Sequence, residues 1–378
     1  MAESVKRFLL PRFRLQEGGL VIVIVLLGAI LTIFGGTVQE PKFRINEQGE
    51  EEPVFVRNAD GEEMRAFETR NKFLRPQSLT KLAKDTSFIA IMAVGMTFVI
   101  VAGQIDLSVG SIYALASVLG ALTFQMFGPG GPHAGSSPWI GIPLGVVVCV
   151  GTATLCGLLN GGMTVALKVH PFIITLGTMA IFRGIAFVIT KGQSVGGFPP
   201  ELLKIVKWEM GHNLSVVPLL VMVAITLIGG VYLTRLAAGR RIYAVGGNEL
   251  ASRFSGIRVE RVKLSVFIIS GFTAGVAALI AIGYYGSATS ADGPGYELNV
   301  IAAAVVGGAS LSGGKGSALG AMLGALVIQM IDGGLVILGI DQNYSQIVIG
   351  AAVILAVVFD QFNSWLAKRR LVARAGST

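Results

Sequence analysis

Long apolar stretches alternate with short polar ones along most of the chain. The first charge-free stretch runs from Gly18 to Val38. A membrane-crossing helix needs about 20 consecutive apolar residues, so a span is predicted over 18–38. The stretch is too long for the apolar core of a cleaved leader, and no Ala-x-Ala site follows it. A polar stretch then extends from Glu40 to Asp85. Beyond it charge nearly disappears: between Thr86 and Leu167 only Asp106 is formally charged. The pattern predicts further spans near 86–104, 109–127, 140–164, 171–190, 214–234, 262–283, 298–312, 316–338 and 344–364. That makes ten, with 298–312 short enough to be re-entrant. The expected fold class is all-α and polytopic, with glycine-rich broken or re-entrant segments. A tail is expected over 1–17, the first helix over 18–38 and an external polar segment over 39–85, of which 40–72 either docks a partner protein or is an insert. The membrane domain follows over 86–366, then a tail over 367–378.

Composition sharpens this picture. Charged residues make up 14% of the chain and hydrophobic residues 53%, against about 25% charged in an average soluble domain. That balance excludes an ordinary soluble enzyme, a disordered chain and a nucleic-acid binder. The net charge of +8 comes mostly from three clusters. Lys6, Arg7, Arg12 and Arg14 precede the first span. Arg235, Arg240, Arg241, Arg253, Arg258, Arg261 and Lys263 lie between the sixth and seventh. Lys368, Arg369, Arg370 and Arg374 follow the last. Ten spans place all three clusters on one side, which the bias of short loops assigns to the cytoplasm, both termini included. Loops 128–139 and 284–297 fall outside. So does 40–85, whose nine basic and ten acidic residues nearly cancel. The positive charge is therefore a matter of topology and calls for no nucleic-acid partner.

Glycine is abundant, at 51 residues, about twice the usual ~7%. Gly316, Gly320 and Gly324 form overlapping small-xxx-small motifs, and Gly271/Gly275 and Gly157/Gly161 add two more, all read as close helix packing. Cys149 and Cys156 read as small buried apolar side chains. With His133, His170 and His212 scattered, no metal site is expected. A shift of 204 residues aligns the chain with itself: 101–122 and 305–326 are identical at eleven of 22 positions, among them Gly103/Gly307, Ser108/Ser312 and Gly120/Gly324. Each copy reads as a helix end, a Gly/Ser break and a new helix. Such repeats are common in transporters, although convergent Gly/Ala packing would give a similar pattern.

Three features carry candidate chemistry. Asp106 sits in the break between two apolar runs, where an unpaired charge costs several kcal/mol. Asp106 or Ser108 caps the next helix, or Asp106 lines a pathway, or it is a plain loop position. Asp332, with Gln329 three residues earlier on the same face, lies inside the ninth span. The third feature is a short helix in the basic loop, with Asn248 as N-cap, Glu249 in its first turn, Arg253 in its last and Gly256 past its end. Leu250 and Phe254, four apart, form an apolar ridge. A two-turn helix does not hold itself together in water, so this one needs a surface: the membrane interface or a partner protein. Ser312-Gly-Gly-Lys315 fails as a phosphate loop, because Ala309 and Gly316 break the required pattern. No nucleotide site is recognisable.

The segments GQIDLSVGSIYAL, HPFIITLGTMAIFRG, YAVGGNELASRFSGIRVERVK and GYELNVIAAAVVGGASLSGGKGSALGAMLGALVIQ resemble the permease subunits of bacterial ribose/xylose/galactose-type ABC sugar importers. The resemblance runs from about Phe73 to Phe362. It implies an inner-membrane permease that pairs with a second copy, binds cytoplasmic ATPases that hold ATP and Mg, and receives sugar from a periplasmic binding protein. The chain itself would bind no cofactor and catalyse nothing. The loop 235–263 is the implied coupling loop, with Gly246, Gly247, Asn248, Glu249, Ala251, Arg253 and Gly256 as the implied ATPase contact, beside the ridge of Leu250 and Phe254. Ala251-Ser-Arg253 stands where the family more usually has Ala-Ala-Arg, and Asp332-Gly-Gly where an amide-rich stretch is common. Gln104, Asp106, Ser108, Asn160, Gln329 and Asp332 are the pathway or helix-break candidates for a neutral hydroxylated solute. A branched-chain amino-acid permease and an ion-coupled carrier are the rivals.

Overall fold

The computed structural model describes residues 15–45, 51–57, 62–210 and 214–358. The basic clusters at 6–14 and 368–374 lie outside the described residues, as do both predicted tails for the most part. The helices are α1 (Leu15–Phe34), α2 (Pro76–Val101), α3 (Val109–Phe127), α4 (Pro138–Leu167), α5 (Pro171–Thr190), α6 (Pro200–Val206), α7 (Val216–Arg235), α8 (Ala237–Gly247), α9 (Glu249–Phe254), α10 (Val259–Tyr285), α11 (Tyr296–Val306), α12 (Ala318–Ile337) and α13 (Tyr344–Val358). Eight of them are long and apolar enough to cross a membrane, and α11 and α13 are shorter apolar helices. The fold is an all-α polytopic membrane protein.

Burial sorts the helices into two shells. The most apolar window of α2 is 89% buried, and those of α3 and α10 are 72% buried. Helices that are apolar all round and enclosed by protein form a core. The corresponding windows of α1, α4, α5 and α7 are only 17–28% buried. Their exposed Val147, Val188 and Ile228 suit a lipid-facing rim. Glycines set the α4–α10 seam. A Cβ on Gly271 would overlap the Ala153 carbonyl oxygen, one on Gly157 that of Phe267, and one on Gly275 would lie 2.8 Å from Ala153 Cβ. Side chains there would push the helices apart, so the small-xxx-small pairs allow the close approach. Gly320 and Gly324 do the same for α12 against Gly307 and Ala303 of α11. Gly316 departs from this reading: it precedes α12, at φ +153.

Several boundaries move. The first span ends at Phe34, because Gly36 (φ +70) turns the chain into strand β1 (Thr37–Pro41). The second begins ten residues earlier than hydropathy suggested, since Pro76 at the first helical position needs no N–H partner. The polar segment is partly strand. Antiparallel β1 pairs with β6 (Phe67–Asn71), β2 (Phe43–Ile45) with β3 (Glu51–Pro53), and β4 (Phe55–Arg57) with β5 (Glu63–Arg65). Backbone bonds among Lys42, Val54 and Ala66 close the junction of the three ladders.

The predicted 298–312 span is a half-span. Helix α11 has 11 residues, about 16 Å, against a hydrocarbon core of about 30 Å. Gly293 and Gly295, both at positive φ, precede it, and Gly308 (φ +93) lies just beyond its end. The chain nevertheless crosses here. Helix α12 is ninth among the ten apolar helices, so it runs parallel to α1 only if the segment holding α11 counts as a crossing. The contacts decide it. Ser317, at the start of α12, donates to Glu17 near the start of α1 at 2.9 Å. A Cβ on Gly334, near the other end, would lie 2.9 Å from Leu31. The two helices are parallel. The two repeat copies are unequal: the first joins a 26-residue helix to α3 and the second joins α11 to α12 through a longer break.

Candidate functional site

Asn248, extended at φ −160, separates α8 from α9, and its side chain accepts the Ala251 N–H at 2.8 Å. The helix stops where Gly256 takes φ +79 and Ile257 N–H donates to Ser252 O at 3.0 Å, the paired bonding of a Schellman end. Ion pairs fix the direction of this knob. Glu249 meets Lys263 at 2.9 Å, and Arg253 meets Glu260 at 2.7 Å and Glu249 at 3.6 Å. Such half-exposed pairs contribute about 0–1 kcal/mol each, so they orient α9 on α10 more than they stabilise it. Leu250 (64% exposed) and Phe254 (84% exposed) are left pointing away from the protein.

The knob rests on two helix breaks. Gly314 N–H donates to Val101 O at 2.8 Å, joining the 307–317 break to the end of α2. A Cβ on Gly246 would overlap that same carbonyl oxygen; one on Gly313 would lie 2.5 Å from Gly246 O, and one on Gly314 2.9 Å from Gly247 Cα. Tyr243 Oη donates to Gly316 O at 2.7 Å. Three backbone segments thus touch without intervening side chains. The positive φ of Gly313, Gly314 and Gly316 is a conformation that side-chain-bearing residues rarely adopt. The two breaks that the repeat alignment paired in sequence are in contact here.

Beneath this seat Asp106 is fully buried. Its Oδ1 accepts from Ser108 N (3.0 Å) and Ser108 Oγ (2.6 Å), and its Oδ2 from Ser270 Oγ (2.9 Å). Asn160 Nδ2 donates to Ser108 Oγ at 2.7 Å. Helices α4 and α10 therefore meet, through Asn160 and Ser270, on the break that joins α2 to α3. Asp106 closes the turn that leads into α3; the side chain of Ser108, at the N-cap position, makes no capping bond. Gln104 Oε1, Asn160 Oδ1 and Thr164 Oγ1 are buried without a hydrogen-bond partner among the described residues. Gln104 and Thr164 line a cavity that also reaches Glu249, Arg253 and Lys263 of the knob region.

Gln104, Asp106, Ser108 and Asn160 are thus brought together near the knob. Gln329 and Asp332 are not. They line a separate groove with Leu31, Phe73, Lys81 and Asp85, where Gln342 Nε2 lies 3.4 Å from Asp332 Oδ2. Two contributors were missed. Thr164 stands one helical turn after Asn160, a spacing that could have found it. Ser270 had no signal beyond a hydroxyl in an apolar run.

The family described as "Branched-chain amino acid transport system / permease component" matches residues 78–357. The chain belongs to that permease family. It is 38% identical to the ribose import permease protein RbsC of Bacillus subtilis (strain 168), over 77% of this chain and 87% of that protein. To the D-allose transport system permease protein AlsC of Escherichia coli (strain K12) it is 36% identical, over 77% and 86%. To the xylose transport system permease protein XylH of the same strain it is 33% identical, with the same coverage. No solved structure matches. The permease match takes in the knob, both breaks and the Asp106 network, and leaves α1 and the 37–71 ladders outside it.

Proposed function

We propose that this chain is the membrane subunit of an ATP-driven importer and forms the pathway for a monosaccharide of the ribose, xylose or allose type. The exposed Leu250–Phe254 ridge carries the reading. Two bare apolar side chains on a two-turn helix, oriented by three ion pairs and seated on backbone, make a lever for a partner to push. The relatives' names supply the substrate class. The partners are a cytoplasmic ATPase carrying ATP and Mg, a periplasmic sugar-binding protein and a second permease copy. The basic residues at 235–263 support a knob on the cytoplasmic side of a bacterial inner membrane. Closure of the ATPases moves α9, and the glycine contacts pass that displacement to the two breaks with no flexible side chain to absorb it. The membrane helices then rock between outward- and inward-open states.

Proteoliposomes holding the chain, its ATPase and its binding protein test this. ATP-dependent accumulation of D-ribose, D-xylose or D-allose is expected, with none from the chain alone. Accumulation without the ATPase overturns the ATP-driven reading, and accumulation of L-leucine in place of sugar overturns the substrate class. Sidedness is checked by cysteines at Ala134 and Leu250, which should react with an impermeant thiol reagent from opposite faces.

A further inference from the structure

A second polar constellation lies between α3, α5 and α11, away from the knob. Arg183 of α5 donates to the backbone oxygens of Ser290 (3.1 Å), Asp292 (2.5 Å) and Gly293 (3.3 Å), fixing the loop that feeds α11. The first turn of α11 then presents Tyr296, its ring 5.4 Å from that of Tyr113, and Glu297. Glu297 Oε2 is buried and has no hydrogen-bond partner among the described residues. It is packed so closely on α3 that a Cβ on Gly110 would lie 2.5 Å from it. A buried carboxylate oxygen without a donor is costly.

Depth gives this arrangement meaning. Gly110 stands 17 residues from the end of α3, or about 25 Å. From Glu297 the helix α11 continues nine residues the other way, about 14 Å. Together they span about 39 Å, close to the about 40–45 Å of a bilayer with its headgroups, which puts the contact inside the hydrocarbon core. Arg183, Asp292, Tyr296, Glu297 and Asn299 are nonetheless all half-exposed. Ionisable groups at that depth face protein or a water-filled space, never lipid.

We propose that Glu297, Tyr296 and Tyr113 form a mid-membrane waypoint that holds a neutral polyhydroxylated solute in transit. A sugar hydroxyl donates to the half-exposed Glu297 carboxylate, and the ring C–H face of the sugar lies against Tyr296, which the buried Tyr113 backs. The proposal rests on the importer reading and adds the place where solute is met. It also links solute to drive: the far end of α11 runs into the 307–317 break on which the knob is seated.

The test uses the full chain in nanodiscs. Ile301→Cys, one turn along α11 from Glu297, places a thiol beside the waypoint, with Asn299→Cys as the second reporter. The native Cys149 and Cys156 are buried and stay silent. D-Ribose, D-xylose and D-allose are each added at millimolar concentration. At least one should slow thiosulfonate labelling by about threefold, the shielding expected at twice its Kd. L-Leucine should not, and a control Ala134→Cys should be indifferent to all four. Adding Glu297→Leu, which removes the acceptor, should abolish the protection, and Glu297→Gln, which keeps a carbonyl oxygen, should weaken it less. Equal labelling with and without every sugar, or protection that survives Glu297→Leu, overturns the waypoint. The importer reading fails separately, by absence of ATPase co-purification, which this labelling does not involve.

Discussion

Substituting Gly246 by alanine inserts one methyl group where the structure has no room. The new Cβ would overlap the Val101 carbonyl oxygen and lie 2.8 Å from Gly314 N, the two atoms of a 2.8 Å hydrogen bond. Relief requires the knob to lift or that bond to break. Losing a backbone bond costs about 1 kcal/mol, and crowding a packed site about 1–3 kcal/mol. Against this, alanine in place of glycine in a helix returns about 1 kcal/mol. The net loss is about 1–3 kcal/mol, enough to shift the seat without unfolding a large membrane domain. Gly230→Ala in α7 is the control: its Cβ meets nothing within 4 Å, so it should be neutral or slightly stabilising. The assay is sugar transported per ATP hydrolysed in the reconstituted complex, beside a thermal melt of the purified chain. Gly246→Ala should lower both the ratio and the melting temperature, and Gly230→Ala neither. Identical behaviour of the two variants would refute the argument that backbone contact at 246 carries the coupling.

Other outcomes follow from the same geometry. Leu250→Ala with Phe254→Ala should leave folding intact, because both side chains are exposed, but cut ATPase co-purification by at least about 30-fold, the ~2 kcal/mol of an interface hot spot; unchanged co-purification counts against the knob. Asp106→Asn keeps a carbonyl acceptor and should be milder in a thermal melt than Asp106→Leu, which strands Ser108 and Ser270 at about 1–3 kcal/mol per unpaired group; equal loss of transport in both, with normal melting, would point to a need for the charge itself. Gly271→Ala drives a methyl into Ala153 O on the α4–α10 seam, whereas Gly151→Ala meets nothing within 4 Å. Only the first should lower membrane yield and melting temperature.

The apolar helices were legible because crossing a membrane imposes a length and a composition that few other structures share. Their ends were less so. Hydropathy sees the apolar middle of a helix, whereas Pro76 and the polar turns through Asp85 extend α2 beyond it. The local chemistry of the knob, with Asn248 as cap, Gly256 as stop and the exposed ridge, could be read because every determinant lies within nine residues. The partners of Asp106 could not. Ser270 is 164 positions away, Asn160 lies 52 from Ser108, and nothing in an apolar run marks which hydroxyl turns inward. Gln329 and Asp332 illustrate the converse: polarity inside a span marked them out, yet polarity alone does not say which groove they line.

The arrangement also accounts for the placing of so many glycines. Side chains have rotamers, and a displacement applied at one side of a packed side chain is partly absorbed by a χ rotation. Backbone held against backbone has no such freedom. At the seat Gly246, Gly313 and Gly314 remove the side chains between three segments, and at the other end of α11 Gly110 removes the one that would displace Glu297. Between these two bare contacts runs a helix of 11 residues whose Gly307 end is packed directly on Gly320 of α12. In the proposed mechanism a push on the Leu250–Phe254 ridge reaches the 307–317 break, and through it α11, by backbone contacts with no side chain between them. That is the requirement for a subunit whose drive comes from outside the membrane and whose solute passes within it.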